Sequence, residues 1–87
     1  MNDLQNLIQR FDEIIALEND ETLCVLGGYI IGAILEQPHK LYESSSLLQT
    51  IDDHASRLEL EDGTPEQLQR DWNIIKSNVK ALKDSAQ

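Results

Sequence analysis

Eighty-seven residues with a net charge of −9, 40% of them hydrophobic and 26% charged, suit one small globular domain and exclude a disordered chain. A domain of this size buries roughly 60–65% of the surface of its unfolded chain, so each large core aliphatic matters, at about 1.5–3 kcal/mol. The single cysteine, Cys24, excludes an internal disulfide, and the acidity disfavours direct binding to nucleic acid, which rests on clustered Lys and Arg.

Two prolines, four glycines and few β-branched runs favour helices. The expected fold is all-α: a single helical domain over residues 1–87, built as a small four-helix bundle or antiparallel helical array. In the first segment Leu4, Leu7, Ile8, Phe11, Ile14 and Ile15 recur at helical spacing, with Asn2 or Asp3 to cap the start and Asn19-Asp20 to turn the chain. This predicts a helix over about 3–18.

The second segment contains Leu23–Leu35, thirteen residues without a charge, within an expected helix over about 22–37 that ends before Pro38. At about 100° per residue it is apolar nearly all round, and such a helix needs cover on every side. Leu23, Leu26, Ile30, Ile31 and Ile34 share one face, assigned to the core. Cys24 lies at its margin and reads as a small buried hydrophobe. The opposite side carries Val25, Gly28, Tyr29, Gly32 and Glu36, and its two glycines make a shallow groove that a second helix could enter. These five are the candidate partner-binding residues. The same glycines also suit tight packing against the protein's own first or third helix, or self-association through the groove, and a turn at Gly27-Gly28 is a minor alternative.

A third helix is expected over about 39–60, from Leu41, Leu48, Ile51, Ala55 and Leu58. Ser44-Ser45-Ser46 weakens it, since serines compete for backbone hydrogen bonds, and the helix could restart with Ser44 or Ser45 as its cap. The fourth, over about 65–84, has the plainest signature: Thr64-Pro65-Glu66-Gln67 reads as a capping threonine, a proline at the first position and a reciprocating glutamine. Leu68, Trp72, Ile75, Val79 and Leu82 form its stripe, which assigns Trp72 to the core. Tyr42 is placed at a rim.

Charge divides along the chain. Between Phe11 and Asp62 twelve acidic residues stand against Lys40 and Arg57, whereas residues 70–83 are basic, with Arg70, Lys76, Lys80 and Lys83 against Asp71. Asp52, Asp53, Glu59, Glu61 and Asp62 form the candidate acidic surface, suited to a basic protein partner. The N-terminus lacks the basic start and apolar core of a signal peptide, and the apolar block is shorter than the roughly 20 residues of a membrane span. A cytoplasmic, soluble protein without cofactors is expected.

No residue pattern points to catalysis. His54 follows two acids and precedes Arg57 by three residues. This run resembles histidine phosphotransfer domains, and the resemblance implies phosphoryl transfer through His54. Where that family carries a lysine and then a glycine after its histidine, Arg57 and Leu58 stand here. Asp52, Asp53, His54 and Cys24 lack metal-ligand spacing, and Glu61-Asp62-Gly63 matches only the opening of a calcium loop. The leading expectation is therefore a small acidic, non-enzymatic binding module of the inhibitor or immunity type that engages a basic partner. A homodimeric adaptor or chaperone using the Gly28/Gly32 groove as its self-interface comes second, and phosphotransfer through His54 third.

Overall fold

The helical periods of the chain resolve into five helices in a computed structural model that describes residues 2–86. They are α1 (Asp3–Ile15), α2 (Leu23–Leu35), α3 (His39–Glu43), α4 (Ser46–Glu59) and α5 (Pro65–Ala86), with no strand among the described residues. Side chains cap four of the five helices. Asn2 accepts from the Gln5 amide at 2.7 Å, Thr22 from Val25 at 3.3 Å and Ser45 from Leu48 at 3.2 Å. At α5 the reciprocal box is complete: the Gln67 amide donates to Thr64 Oγ1 at 3.2 Å, and the Thr64 amide donates to Gln67 Oε1 at 2.8 Å.

The expected helix over 39–60 is two helices, which corrects the four-helix count to five. Ser45 sits in extended backbone at φ −129, and its hydroxyl takes the amide that a continuous helix would have bonded to a carbonyl. α3 consequently buries no residue, and Leu41, assigned to the core stripe, is only half-buried. Leu23 and Ile31 are likewise half-buried against the core, as is Cys24. Both α1 and α2 end before their expected limits, in tight turns such as Leu17 N–H to Ile14 at 2.9 Å and Gln37 N–H to Ile34 at 3.0 Å.

The core is a single cluster. Leu7 and Phe11 of α1, Leu26 and Ile30 of α2, Leu48, Ile51 and Leu58 of α4, and Trp72, Ile75 and Val79 of α5 are fully buried. α2 packs mainly on α4 and α4 on α5, while α1 closes across α2 and α5. That closure is polar as well as apolar. Glu18, just beyond α1, accepts from Trp72 Nε1 at 2.8 Å and from Lys76 Nζ at 3.0 Å, and Lys83 pairs with Asp12 at 2.7 Å.

α2 runs unbroken through Gly27-Gly28, and Gly27 marks its closest approach to α4. A Cβ on Gly27 would lie 2.7 Å from Leu58 Cβ, 2.8 Å from the Ala55 carbonyl oxygen and 3.0 Å from the Glu59 nitrogen. Two of these are backbone atoms that cannot turn aside. A Cβ on Gly32 would meet nothing within 4 Å.

The same substitution at these two glycines should have opposite effects. Gly27→Ala should destabilise the protein by about 1–3 kcal/mol through overpacking, although alanine is the better helix former by about 1 kcal/mol. Gly32→Ala should stabilise it by about 0.5–1 kcal/mol, and urea unfolding reads both; equal effects would show that the α2–α4 contact imposes no constraint. For Glu18, the hydrogen bonds from Trp72 and then Lys76 hold its carboxyl below the usual value of 4.5. A lowered folded-state pKa gives stability that is complete above the unfolded value and lost as pH falls through the folded one. Wild-type protein should therefore lose more stability than Glu18→Gln on acidification below about pH 4.5, with the two curves parallel at neutral pH.

Candidate protein-docking face

The outer side of α2 is where sequence and structure meet on a surface. Tyr29 is 42% exposed, Val25 is half-buried, and the Gly32 edge is open. Glu36 follows as an exposed C-cap residue. Gly28 borders α4: a Cβ there would come 3.2 Å from Glu59 Oε2, so a carboxylate lies along the glycine edge. The two candidate sets, groove and acids, thus adjoin at Gly28 and Glu59.

The end of α4 explains how those carboxylates come to lie there. Leu60 ends the helix, the Glu61 amide donates to the Leu58 carbonyl at 3.1 Å, and the Asp62 amide donates to the Arg57 carbonyl at 2.9 Å. This is the paired bonding of a Schellman turn, whose left-handed position usually holds glycine. Glu61 fills it instead, at φ 54. The turn brings Glu61 next to Cys24 at the start of α2. The Cys24 thiol donates to the Glu59 carbonyl at 3.2 Å. Burial, and then the negative charges of Glu61 and Glu59, push this thiol above its ordinary pKa.

The acidic surface does not form one patch. Glu59 and Glu61 flank the start of α2, whereas Asp52 and Asp53 lie farther up α4. Tyr42, half-buried on α3, donates from its hydroxyl to Asp52 at 3.4 Å. Burial, followed by the Asp52 charge, raises the Tyr42 phenol and keeps it a neutral donor. Asp62 faces a different place, a cleft of about 420 Å³ between α4 and α5.

His54 lines that cleft together with Arg57, Arg70 and Asp71. Its Nδ1 lies 2.8 Å from the Thr50 carbonyl, an acceptor only, so Nδ1 carries the proton and a neutral ring keeps its lone pair on Nε2. Arg57 pairs with the buried Asp71 at 3.7 Å. With Asp62 and Asp71 opposing Arg57 and Arg70, the four charged side chains of the cleft cancel. A phosphoryl dianion would meet no net positive charge from those four side chains.

Asp12, Glu13, Glu18 and Asp71 are each paired with Lys or Arg, and Glu43 with His39. Among the described residues the other acids enter no ion pair: Glu36, Asp52, Asp53, Glu59, Glu61 and Asp62, and also Asp3, Asp20, Glu21, Glu66 and Asp84. No group of three or more His, Cys, Asp or Glu side chains among the described residues is placed to hold a metal ion. No described helix is long and apolar enough to cross a membrane. No protein-family model, curated protein or solved structure matches the chain.

Sequence patterning does not single out two residues of consequence. Gly27 falls between Leu23 and Ile31 on the core face of α2, and that position is the available signal for a close helix contact. Leu35, at 78% the most exposed large hydrophobic residue described, falls by helical angle only at a core margin. The Cys24 environment is directly testable. At about pH 8 its reaction with iodoacetamide should be slower than that of a free thiol, because only the thiolate reacts, and Glu61→Gln should speed it. An unchanged rate in Glu61→Gln would separate the carboxylate from the thiol.

Proposed function

We propose that the protein is a small non-enzymatic binding module of the inhibitor or immunity type, and that the outer face of α2 engages a basic helical segment of another protein. The observation that carries this reading is the adjacency of an open glycine edge to a carboxylate with no cation of its own. Gly32 lets a partner backbone come close, and Glu59 beside Gly28 meets its positive charge. Apolar contact supplies affinity on such a face, and the unpaired acids supply encounter rate and partner choice. The free thiol of Cys24 suits the reducing cytoplasm.

Self-association through the same face is the second reading, and electrostatics ranks it lower. In a two-fold dimer the same patch contributes from both copies. Glu36, Glu59 and Glu61 would then confront their own like charges instead of cations.

The test uses a fluorescent, amphipathic Leu/Lys peptide of about five helical turns, followed by anisotropy. Binding should weaken steeply with salt. Gly32→Leu, which changes no charge and has space in the free protein, should lower affinity at least about tenfold. Glu61→Gly should also weaken binding while stabilising the fold by about 0.5–1 kcal/mol, since glycine takes the left-handed position without strain. Undiminished binding to Gly32→Leu would remove the α2 face from the interaction.

A further inference from the structure

The C-terminal end of α2 holds a feature that the docking face alone does not explain. Ile34 and Leu35 of α2, Gln37 of the following turn, His39 and Tyr42 of α3 and Asp52 of α4 line a half-open pocket of about 290 Å³. That is at the small end of ligand sites and leaves room for one large apolar side chain. Its walls are apolar on the α2 side and aromatic on the α3 side, where His39 and Tyr42 stack with ring centroids 6.1 Å apart. Leu35 is left 78% exposed on its lip, in a chain that buries most of its other large aliphatics.

The polar groups of the pocket set its charge preference. Asp52 receives one hydrogen bond, from the Tyr42 hydroxyl at 3.4 Å, and enters no ion pair among the described residues. A carboxylate has about four acceptor sites, so most of its capacity stays open. Because α2 and α4 run antiparallel, the seam between them repeats one arrangement twice. Glu59 lies beside Gly28 at one end, and Asp52 lines the pocket with Leu35 at the other. Gly28 to Leu35 and Asp52 to Glu59 are each seven residues, or about 10 Å of helix. A helix laid along the seam would therefore meet acids two turns apart.

We propose that this pocket receives one large apolar side chain, a leucine, isoleucine or phenylalanine, from a basic amphipathic helix lying along the α2–α4 seam, with a neighbouring lysine or arginine held by Asp52. The proposal rests on the α2 docking reading and adds the anchor that fixes the helix in register. Hot spots of this kind are single side chains seated in a pocket and ringed by polar contacts.

The experiment uses the same Leu/Lys peptide and a set in which one leucine at a time is replaced by alanine, titrated against wild-type protein, Leu35→Gln, Asp52→Asn and Gly32→Leu. Leu35→Gln changes an exposed residue and no charge, and circular dichroism checks that the fold persists. The pocket predicts a roughly tenfold or greater loss of affinity for Leu35→Gln, a smaller loss for Asp52→Asn, and one peptide leucine whose replacement costs wild-type protein much more than it costs Leu35→Gln. Methyl NMR signals of Ile34 and Leu35 should shift on titration. If Gly32→Leu weakens binding while Leu35→Gln and every leucine replacement act equally on both proteins, the pocket is overturned and the α2 reading stands. If Leu35→Gln weakens binding and Gly32→Leu does not, the α2 reading fails and the pocket survives. Concentration-dependent self-association abolished by Leu35→Gln, with no peptide binding, would overturn the proposal in favour of a second copy as the occupant.

Discussion

The approach of α2 to α4 at Gly27 is the contact on which the other placements depend. With no side chain on Gly27 and only a methyl group on Ala55, the two helices come so close that a Cβ on Gly27 would strike the α4 backbone. That closeness lets Leu26, Ile30 and Ile34 reach a core that a chain of 87 residues could not otherwise fill around so apolar a helix. It also fixes the rotation of α2. Once Gly27 faces α4, Gly28 must border Glu59, Gly32 must be open, and Tyr29 must turn toward α1 and solvent. The open side of α2 is thus the remainder left by one packing decision.

What the sequence discloses here is what is local. Thr64-Pro65-Glu66-Gln67 encodes its capping box within four residues, and the Trp72, Ile75, Val79 and Leu82 stripe repeats on one face, so both are legible from residue order alone. Ser45 is ambiguous because the apolar pattern continues at Leu48, Ile51 and Ala55 whether or not the helix restarts. Only the competition between a hydroxyl and a carbonyl for one amide decides it, and that balance is small. Gly27 lies on the core face of α2, but helical angle alone does not mark it as the packing glycine in place of Gly28 and Gly32, because the closeness of α4 is a tertiary property. The meeting of Glu61 with Cys24 is not legible either, because it depends on a left-handed turn at a glutamate and on the tertiary contact of α2 with α4.

The net charge conceals a division of labour. Between α1, the turn after it and α5, Asp12 pairs with Lys83, and Glu18 with Lys76 and the Trp72 indole. Surface pairs of this kind contribute little each. Asp52, Asp53, Glu59, Glu61 and Asp62, along α4 and its terminal turn, have no such partners. Acids set in a row orient an approaching cation before contact, whereas evenly spread charge only keeps a chain soluble. Glu61 adds to that row from a backbone position where glycine would cost less.

The restart of the chain at Ser45 has a mechanical consequence. α3 buries none of its residues and is held mainly through Leu41 and Tyr42, so it belongs to the part of the fold that opens at least cost. α2 and α4, locked at Gly27, belong to the most resistant part. The recess that α2, α3 and α4 line together therefore has one stiff wall and one compliant wall. A cavity of that construction would adjust its width to a side chain entering it and discriminate weakly among those of similar bulk, leaving selection to the spacing of charges along the stiff wall.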